Sequence, residues 1–398
     1  MELQEVCDVI TCGVAKRPEY KTEGIPFLSS KNVKEDRFIL DHFNYVSEDD
    51  FLQLTKHNKP EKGDVLYTRV GSFGEAAVID LNFDFAIFVS LTLLKPKKDL
   101  VFPRFLMYYL NSPKIKKLAI SSTSGIGVQN LNVSTVRKFP IDLPPLTTQK
   151  KIAQILDDAA ALRDKTAQLL TEYDVLAQSI FLEMFGDPGT NVKDFEIRQL
   201  DEFYVSKKEG TKCGPFGGAL KKEEYVDKGI AVWNMDNISK NGELNSDIKL
   251  WITKEKFSKL KPYNVKNDDI IISRAGTVGK MCVVSSTYNK SIISTNLIRL
   301  RLDSSKLLPL FFSIMMNYFK ERVGRLKTGA EGAFTHMNTG VLNNLKFPYP
   351  PIDLQNQFAE KISLIDKQKE LAKQELKESE DLFNCLLQKA FKGELVKE

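Results

Sequence analysis

Histidine and cysteine are both scarce in this chain of 398 residues. The three histidines, His42, His57 and His336, have no cysteine, histidine or carboxylate at metal-ligand spacing, which argues against a built metal site. The five cysteines, Cys7, Cys12, Cys213, Cys282 and Cys385, are odd in number and scattered. They read as reduced thiols of a cytoplasmic protein rather than as a disulfide framework. Long apolar runs are missing as well. The longest, residues 85–94 and 307–316, hold about ten residues, too few to span a bilayer. The opening Met1–Glu5 has neither the basic nor the apolar character of a signal peptide. Charge of one sign is also in short supply. The 57 basic and 52 acidic residues leave a net charge of +5, which permits an anionic partner without demanding one.

Signatures of catalysis are equally thin. Gly276–Lys280 lacks the spacing of a phosphate-binding loop. Pro144-Pro145 and Pro350-Pro351 follow Leu143 and Tyr349, where the amino-methyltransferase motif needs a polar acceptor, and precede Leu146 and Ile352, where it needs an aromatic ring. These prolines read as helix-entry punctuation. A 42% hydrophobic and 27% charged composition is ordinary for globular protein, and 25 phenylalanines predict aromatic-rich cores. The length predicts two or three domains.

The strongest positive signal is an internal repeat. Asp64–Gly74 matches Asp269–Gly279, aligning Arg69 with Arg274 and Gly71 with Gly276 at an offset of 205 residues. Gly24-Ile25 matches Gly229-Ile230 at the same offset, while Pro103–Asn111 matches Pro309–Asn317, and Pro144–Gln149 matches Pro350–Gln355, at an offset of 206. Four matches in order with a nearly constant offset identify a duplication.

Each copy ends in a long helix. From Thr148, a candidate N-cap, to Phe185, apolar residues at Ile152, Ile155, Ala159, Leu162, Leu169, Tyr173, Leu176 and Ile180 keep heptad spacing, interrupted at Thr166. Such a helix is about 60 Å long, too long for one compact core. The sequence Gly186–Gly189 terminates it. Phe358, Ile362, Ile365, Ala372, Leu376, Ser379, Phe383, Leu386 and Ala390 repeat the rhythm, broken at Lys369, before Gly393. The expected organisation is a first block at 1–145, a spacer helix at 146–187, a second block at 188–351 and a second spacer helix at 352–398. Seam pairing is expected at Ile152, Ile155, Leu162, Leu169, Leu176, Phe358, Ile362, Ile365, Leu376, Phe383 and Leu386.

Within each block the pattern is mixed α/β (α+β). Residues 65–69 and 270–274 read as strands entering a glycine turn, and 76–79 and 281–284 as the returning strands. Residues 85–94 and 292–302 read as single strands, and 105–118 and 310–326 as helices introduced by Pro103 and Pro309.

Two features suit nucleic acid. The first is the pair of turns carrying Arg69, Gly71 and Ser72, and Arg274, Gly276, Thr277 and Lys280. An arginine fork fits guanine O6 and N7, while hydroxyls and amides meet phosphate. The plain alternative is a hairpin arginine paired with a carboxylate. The second is a basic helix running into a small-residue loop. Lys114, Lys116 and Lys117 precede Gly125, Gly127, Gln129 and Asn130, and Lys320, Arg322, Arg325 and Lys327 precede Thr328, Gly329, Gly332 and His336. Cations neutralise phosphate and amide or imidazole groups address base edges, although a solvated helix face has the same look. The charge recurs in both halves while the loop side chains differ, which fits two reading heads with different targets.

The chain resembles the specificity subunit of a type I restriction–modification system. The resemblance rests on Pro144–Ala153 and Pro350–Ala359 at the helix entries, Met184–Pro188 and Ala390–Leu395 at the exits, and Gly214–Leu220 followed by Tyr225 and Gly229-Ile230. It implies two target-recognition domains docking in the major groove of double-stranded DNA, with the two long helices pairing antiparallel and setting the separation of the half-sites. It further implies two methyltransferase (modification) subunits as partners, together with restriction/translocase subunits. S-adenosylmethionine, Mg and ATP would then belong to those partners, with no cofactor and no catalysis in this chain. The first half departs from the pattern, its counterpart of Gly214–Leu220 being short and irregular. The competing readings are a self-contained DNA methyltransferase or nuclease, and a coiled-coil protein adaptor without a DNA role.

Overall fold

A computed structural model of the chain describes residues 1–15, 17–71, 73–123, 130–239, 241–275, 277–318 and 337–396. They form two compact units: Met1–Leu169 with Ala372–Glu398, and Leu170–Leu371. Each unit therefore takes one globular block and a part of both long helices. This division differs from the sequential blocks suggested by the sequence because the helices, Leu146–Phe185 and Ile352–Ala390, contribute to both.

The repeat is reproduced in the two main sheets of each unit. In the first unit a four-stranded antiparallel sheet has the order Cys7–Cys12, Leu91–Pro96, Val65–Thr68, Ala76–Val78. In the second it is Thr211–Cys213, Leu297–Leu300, Ile270–Ser273, Met281–Val283. The central strands Val65–Thr68 and Ile270–Ser273 are buried throughout, in keeping with their nearly continuous apolar composition. A second sheet in each unit pairs Ile25–Leu28 with Ala86-Ile87, or Ile230–Trp233 with Ser291–Ile293, in parallel.

Residues 85–94 and 292–302 are thus not single strands. Each divides into two short strands in different sheets, joined by a turn. Apolar content alone cannot reveal such a break, because both pieces are buried. The helix expected over 105–118 is likewise two helices, Pro103–Asn111 and Pro113–Ser121. Pro113 forces Ser112 into an extended conformation, with ψ at 148°.

The glutamine of each Pro-Pro helix entry explains that motif. Gln149 accepts the Phe102 N–H at 2.9 Å and donates to the carbonyls of Leu100 and Pro144 at 2.9 and 2.8 Å. Gln355 accepts the Leu308 N–H and donates to the Pro350 carbonyl, both at 2.9 Å. Both amides are almost fully buried and join a helix start to the element before it. The helices begin at Leu146 and Ile352, so Thr148 is a first-turn residue rather than the cap.

In the first unit Ile152, Leu156, Ala159 and Ala160 share a core with Phe383, Leu387 and Ala390. In the second, Phe181 and Phe185 pack with Phe311, Phe358 and Ile362. The beginning of one helix thus meets the end of the other within each unit, an antiparallel pairing. Along the first helix the buried and half-buried seam is Ile152, Leu156, Ala159, Arg163, Thr166, Leu170, Tyr173, Ala177, Phe181 and Met184. Residues 206 positions later give the seam of the second helix, Phe358 to Ala390.

On the second helix the expected positions coincide with the seam except at Leu386, which Leu387 replaces, whereas on the first only Ile152, Ala159 and Tyr173 do. Ile155 and Leu169 are half-buried outside the core clusters, and Leu162 and Leu176 are 44% and 45% exposed. Arg163 concealed the true register, because a charged residue occupies an inward position. Its guanidinium lies 4.8 Å from the Phe383 ring centroid and pairs with Asp36 at 3.5 Å. The equivalent Lys369 pairs with Asp174 and Glu243 at 2.7 and 3.1 Å. Both seam cations tie helix to block, so each breaks the apolar pattern for a local reason.

Candidate nucleic-acid interface

The two glycine turns have one architecture. In the first unit the Gly74 N–H reaches the Thr68 carbonyl at 2.9 Å and the Glu75 N–H reaches Thr68 Oγ1 at 2.9 Å. In the second, Gly279 and Lys280 make the same bonds to the Ser273 carbonyl and Oγ, at 2.9 and 3.0 Å. Gly71, Gly74 and Gly279 have φ of 81°, 87° and 89°, so glycine is needed there for conformation. The main chains of Arg69 and Arg274 donate to Ser90 and Asn296 at 3.0 and 2.9 Å. Their carbonyls accept from Leu131 and Met337 at 2.9 and 3.0 Å.

A loop crosses beside each turn. The N–H groups of Gly13 and Gly214 donate to the carbonyls of Leu91 and Leu297 at 3.2 and 2.8 Å. A Cβ on either glycine would fall about 2 Å from a main-chain carbonyl oxygen, of Ile87 or Ser294. Cys12-Gly13 and Cys213-Gly214 are therefore equivalent, and the loop that follows is four residues longer in the second unit before Gly229 than in the first before Gly24. That insertion shifts the offset from 205 to 201 residues, which hid the correspondence in the sequence.

The arginine side chains diverge. Arg69 does not project: it is 7% exposed, its Nε donates to the Leu131 carbonyl at 2.9 Å and its Nη1 to the Val89 carbonyl at 3.0 Å. It holds the turn to two neighbouring segments, a scaffold role instead of the projecting fork expected from the motif. Arg274 is half-buried, with its guanidinium 4.5 Å from the ring centroid of Phe216 in the longer loop. Burial pushes the nearby Cys213 thiol up in pKa, opposed by the Arg274 charge. Thr277 is exposed and Lys280 half-buried. Where the second unit has Lys280, the first has Glu75, which pairs with Lys34 at 3.3 Å.

The remaining expected residues are dispersed. Lys116 is half-buried and ion-paired with Glu35 rather than projecting, and burial lowers its pKa. Lys114 and Lys117 are exposed. Asn130 forms an isolated bridge with Val70, beside the turn of Gly71. Ser72, Gly125, Gln129, Gly276, Arg322, Lys327, Thr328 and His336 lie outside the described residues, as do Gly127, Lys320, Arg325, Gly329 and Gly332. Arg17 and Phe88 were not singled out in the sequence: the Arg17 guanidinium lies 5.8 Å from the Phe88 ring centroid. Among the described residues no cluster of three or more histidine, cysteine or acidic side chains could hold a metal ion. No described helix is long and apolar enough to cross a membrane.

With a turn and a crossing loop meeting beside the main sheet in each copy, the chain is of the class of internally duplicated α/β proteins. The family model described as "Type I restriction modification DNA specificity domain" matches it twice, over residues 1–172 and 193–380, and the chain belongs to that family. The type I restriction enzyme MjaVIII specificity subunit of Methanocaldococcus jannaschii is 24% identical over 285 residues, 69% of this chain and 66% of the relative. The EcoKI specificity subunit of Escherichia coli is 22% identical over 396 residues, 94% of this chain and 83% of its own. The fold is similar to that of the S subunit from M. genitalium, with a TM-score of 0.58 and 17% identity over 98% of this chain and 95% of that one.

Proposed function

We propose that this chain is the sequence reader of a type I restriction–modification complex, recognising an asymmetric, two-part DNA site with one half-site per unit. The observation that carries the reading is the combination of a conserved frame and unlike tips. The same turn, crossing loop and buried amides recur in both units, while the side chains around the turn differ, down to half-buried Glu75 in one and half-buried Lys280 at the matching position of the other. One scaffold with two unlike surfaces suits two different short sequences. Sequence is read by side chains at base edges, while phosphate contacts fix position.

The chemistry resides in partners: modification subunits that bind S-adenosylmethionine and methylate adenine, and a restriction/translocase subunit that uses ATP and Mg. This chain binds, orients and recruits. The test is a comparison of the purified chain with the chain assembled with its modification subunits. The expected result is that labelled S-adenosylmethionine binds, and labels DNA, only in the assembly. Methyl transfer by the isolated chain would overturn the division of labour.

A further inference from the structure

At the corner where turn and crossing loop meet, each unit holds one guanidinium over one aromatic ring, and the two pairs are built from non-equivalent residues. In the second unit the cation comes from the turn and the ring from the loop, as Arg274 over Phe216. In the first the turn arginine is buried, and the cation comes instead from the loop, as Arg17 over Phe88. We infer that these two pairs are the base-reading heads, each addressed to a guanine in one half-site. The inference rests on the DNA-specificity reading above and adds which residues carry it.

Neither guanidinium makes a hydrogen bond or ion pair among the described residues, whereas Arg69, Arg104, Arg163, Arg198, Arg299 and Arg301 all do. Among the described residues, then, their donors are unused. The rings give the planar group a fixed support while leaving those donors open, and a planar fork with unsatisfied N–H groups matches O6 and N7 of guanine. Phe216 is 56% exposed, so core packing does not account for it. Its carbonyl accepts the Ala219 N–H at 3.2 Å in a tight turn beginning beside Gly217, whose φ is 58°. Phe88 is half-buried and braced edge-on by Phe27, with centroids 6.0 Å apart. Both rings are thus anchored by the main chain or the core, and both cations lie beside the same strand connection.

The experiment uses the complex assembled with its modification subunits, methylating a library of duplexes randomised across the site. Wild type first defines the motif. R274K, which keeps the charge and loses the fork, should reduce the preference for guanine at one position by about ten- to a hundredfold and leave the other half-site intact. F216A should act in the same direction. R17K should do the same in the opposite half-site, and R69K should change neither preference. A bipartite wild-type motif that R274K and R17K leave unchanged would overturn this assignment alone. A uniform loss on all sequences with a shallower salt dependence would also overturn it, because it would place the arginines on phosphate. A wild-type complex without sequence preference would overturn the DNA-specificity reading itself.

Discussion

Replacing Arg69 by alanine separates scaffold from reader. The side chain makes two charge-assisted hydrogen bonds, to the carbonyls of Leu131 and Val89 at 2.9 and 3.0 Å. Such bonds contribute about 1.5–3 kcal/mol each. The side chain is 7% exposed, and the space it leaves can admit water to the freed carbonyls, so the lower end applies. The expected cost is about 3 kcal/mol, or roughly a hundredfold in the local opening equilibrium. Hydrogen exchange followed by mass spectrometry reads this directly, with faster exchange in peptides covering residues 65–69, 88–94 and 130–133. Both tryptophans, Trp233 and Trp251, lie in the second unit, whose fluorescence-detected unfolding should be unchanged. Unaltered exchange around the turn, together with a changed base preference, would refute the reasoning and restore Arg69 as a reader.

Gln355→Ala leaves the Leu308 N–H and the Pro350 carbonyl without their partner. It should cost about 2 kcal/mol, seen as a lower midpoint in fluorescence-detected unfolding; an unchanged midpoint would remove the amide from the stabilising set. Lys369→Met should change stability by less than about 1 kcal/mol, because Asp174 and Glu243 are half-exposed and return to water when the cation goes. A large loss in urea titration would mean the pair is coupled to the seam. Burial pushes the thiols of Cys7 and Cys282 up to about 12. Both should therefore resist alkylation in the folded protein while exposed Cys385 reacts, as intact-mass measurement would show.

The duplication and the helix pair were legible in sequence because each leaves a periodic trace. Gln149 and Gln355 stood out as a repeated motif, and their bonds explain why the motif recurs. The register of the first helix was legible at only a few positions, because Arg163 and Thr166 fill inward positions while Leu162 and Leu176 face water. The site was read less well. Arg69 and Arg274 share a sequence environment and a main-chain geometry, yet one is buried and one lies on an exposed ring. Counted from the equivalent glycines, the second copy has Phe216 where the first has Ala15, in a loop far from the turn in sequence. No local pattern around the turn encodes that choice. The Arg17 and Phe88 pair was invisible for a related reason, since its members are 71 positions apart and meet where Val14 forms an isolated parallel bridge with Phe88.

The most direct test of the whole account is to map methylated adenines across the genome of the cell that carries this chain, with and without its gene. The predicted result is one motif that disappears with the gene and consists of two unlike short sequences separated by a fixed run of unspecified bases. A gene-dependent motif that is continuous or palindromic would contradict two unlike reading heads, and no gene-dependent methylation would contradict the recruitment of a modification subunit.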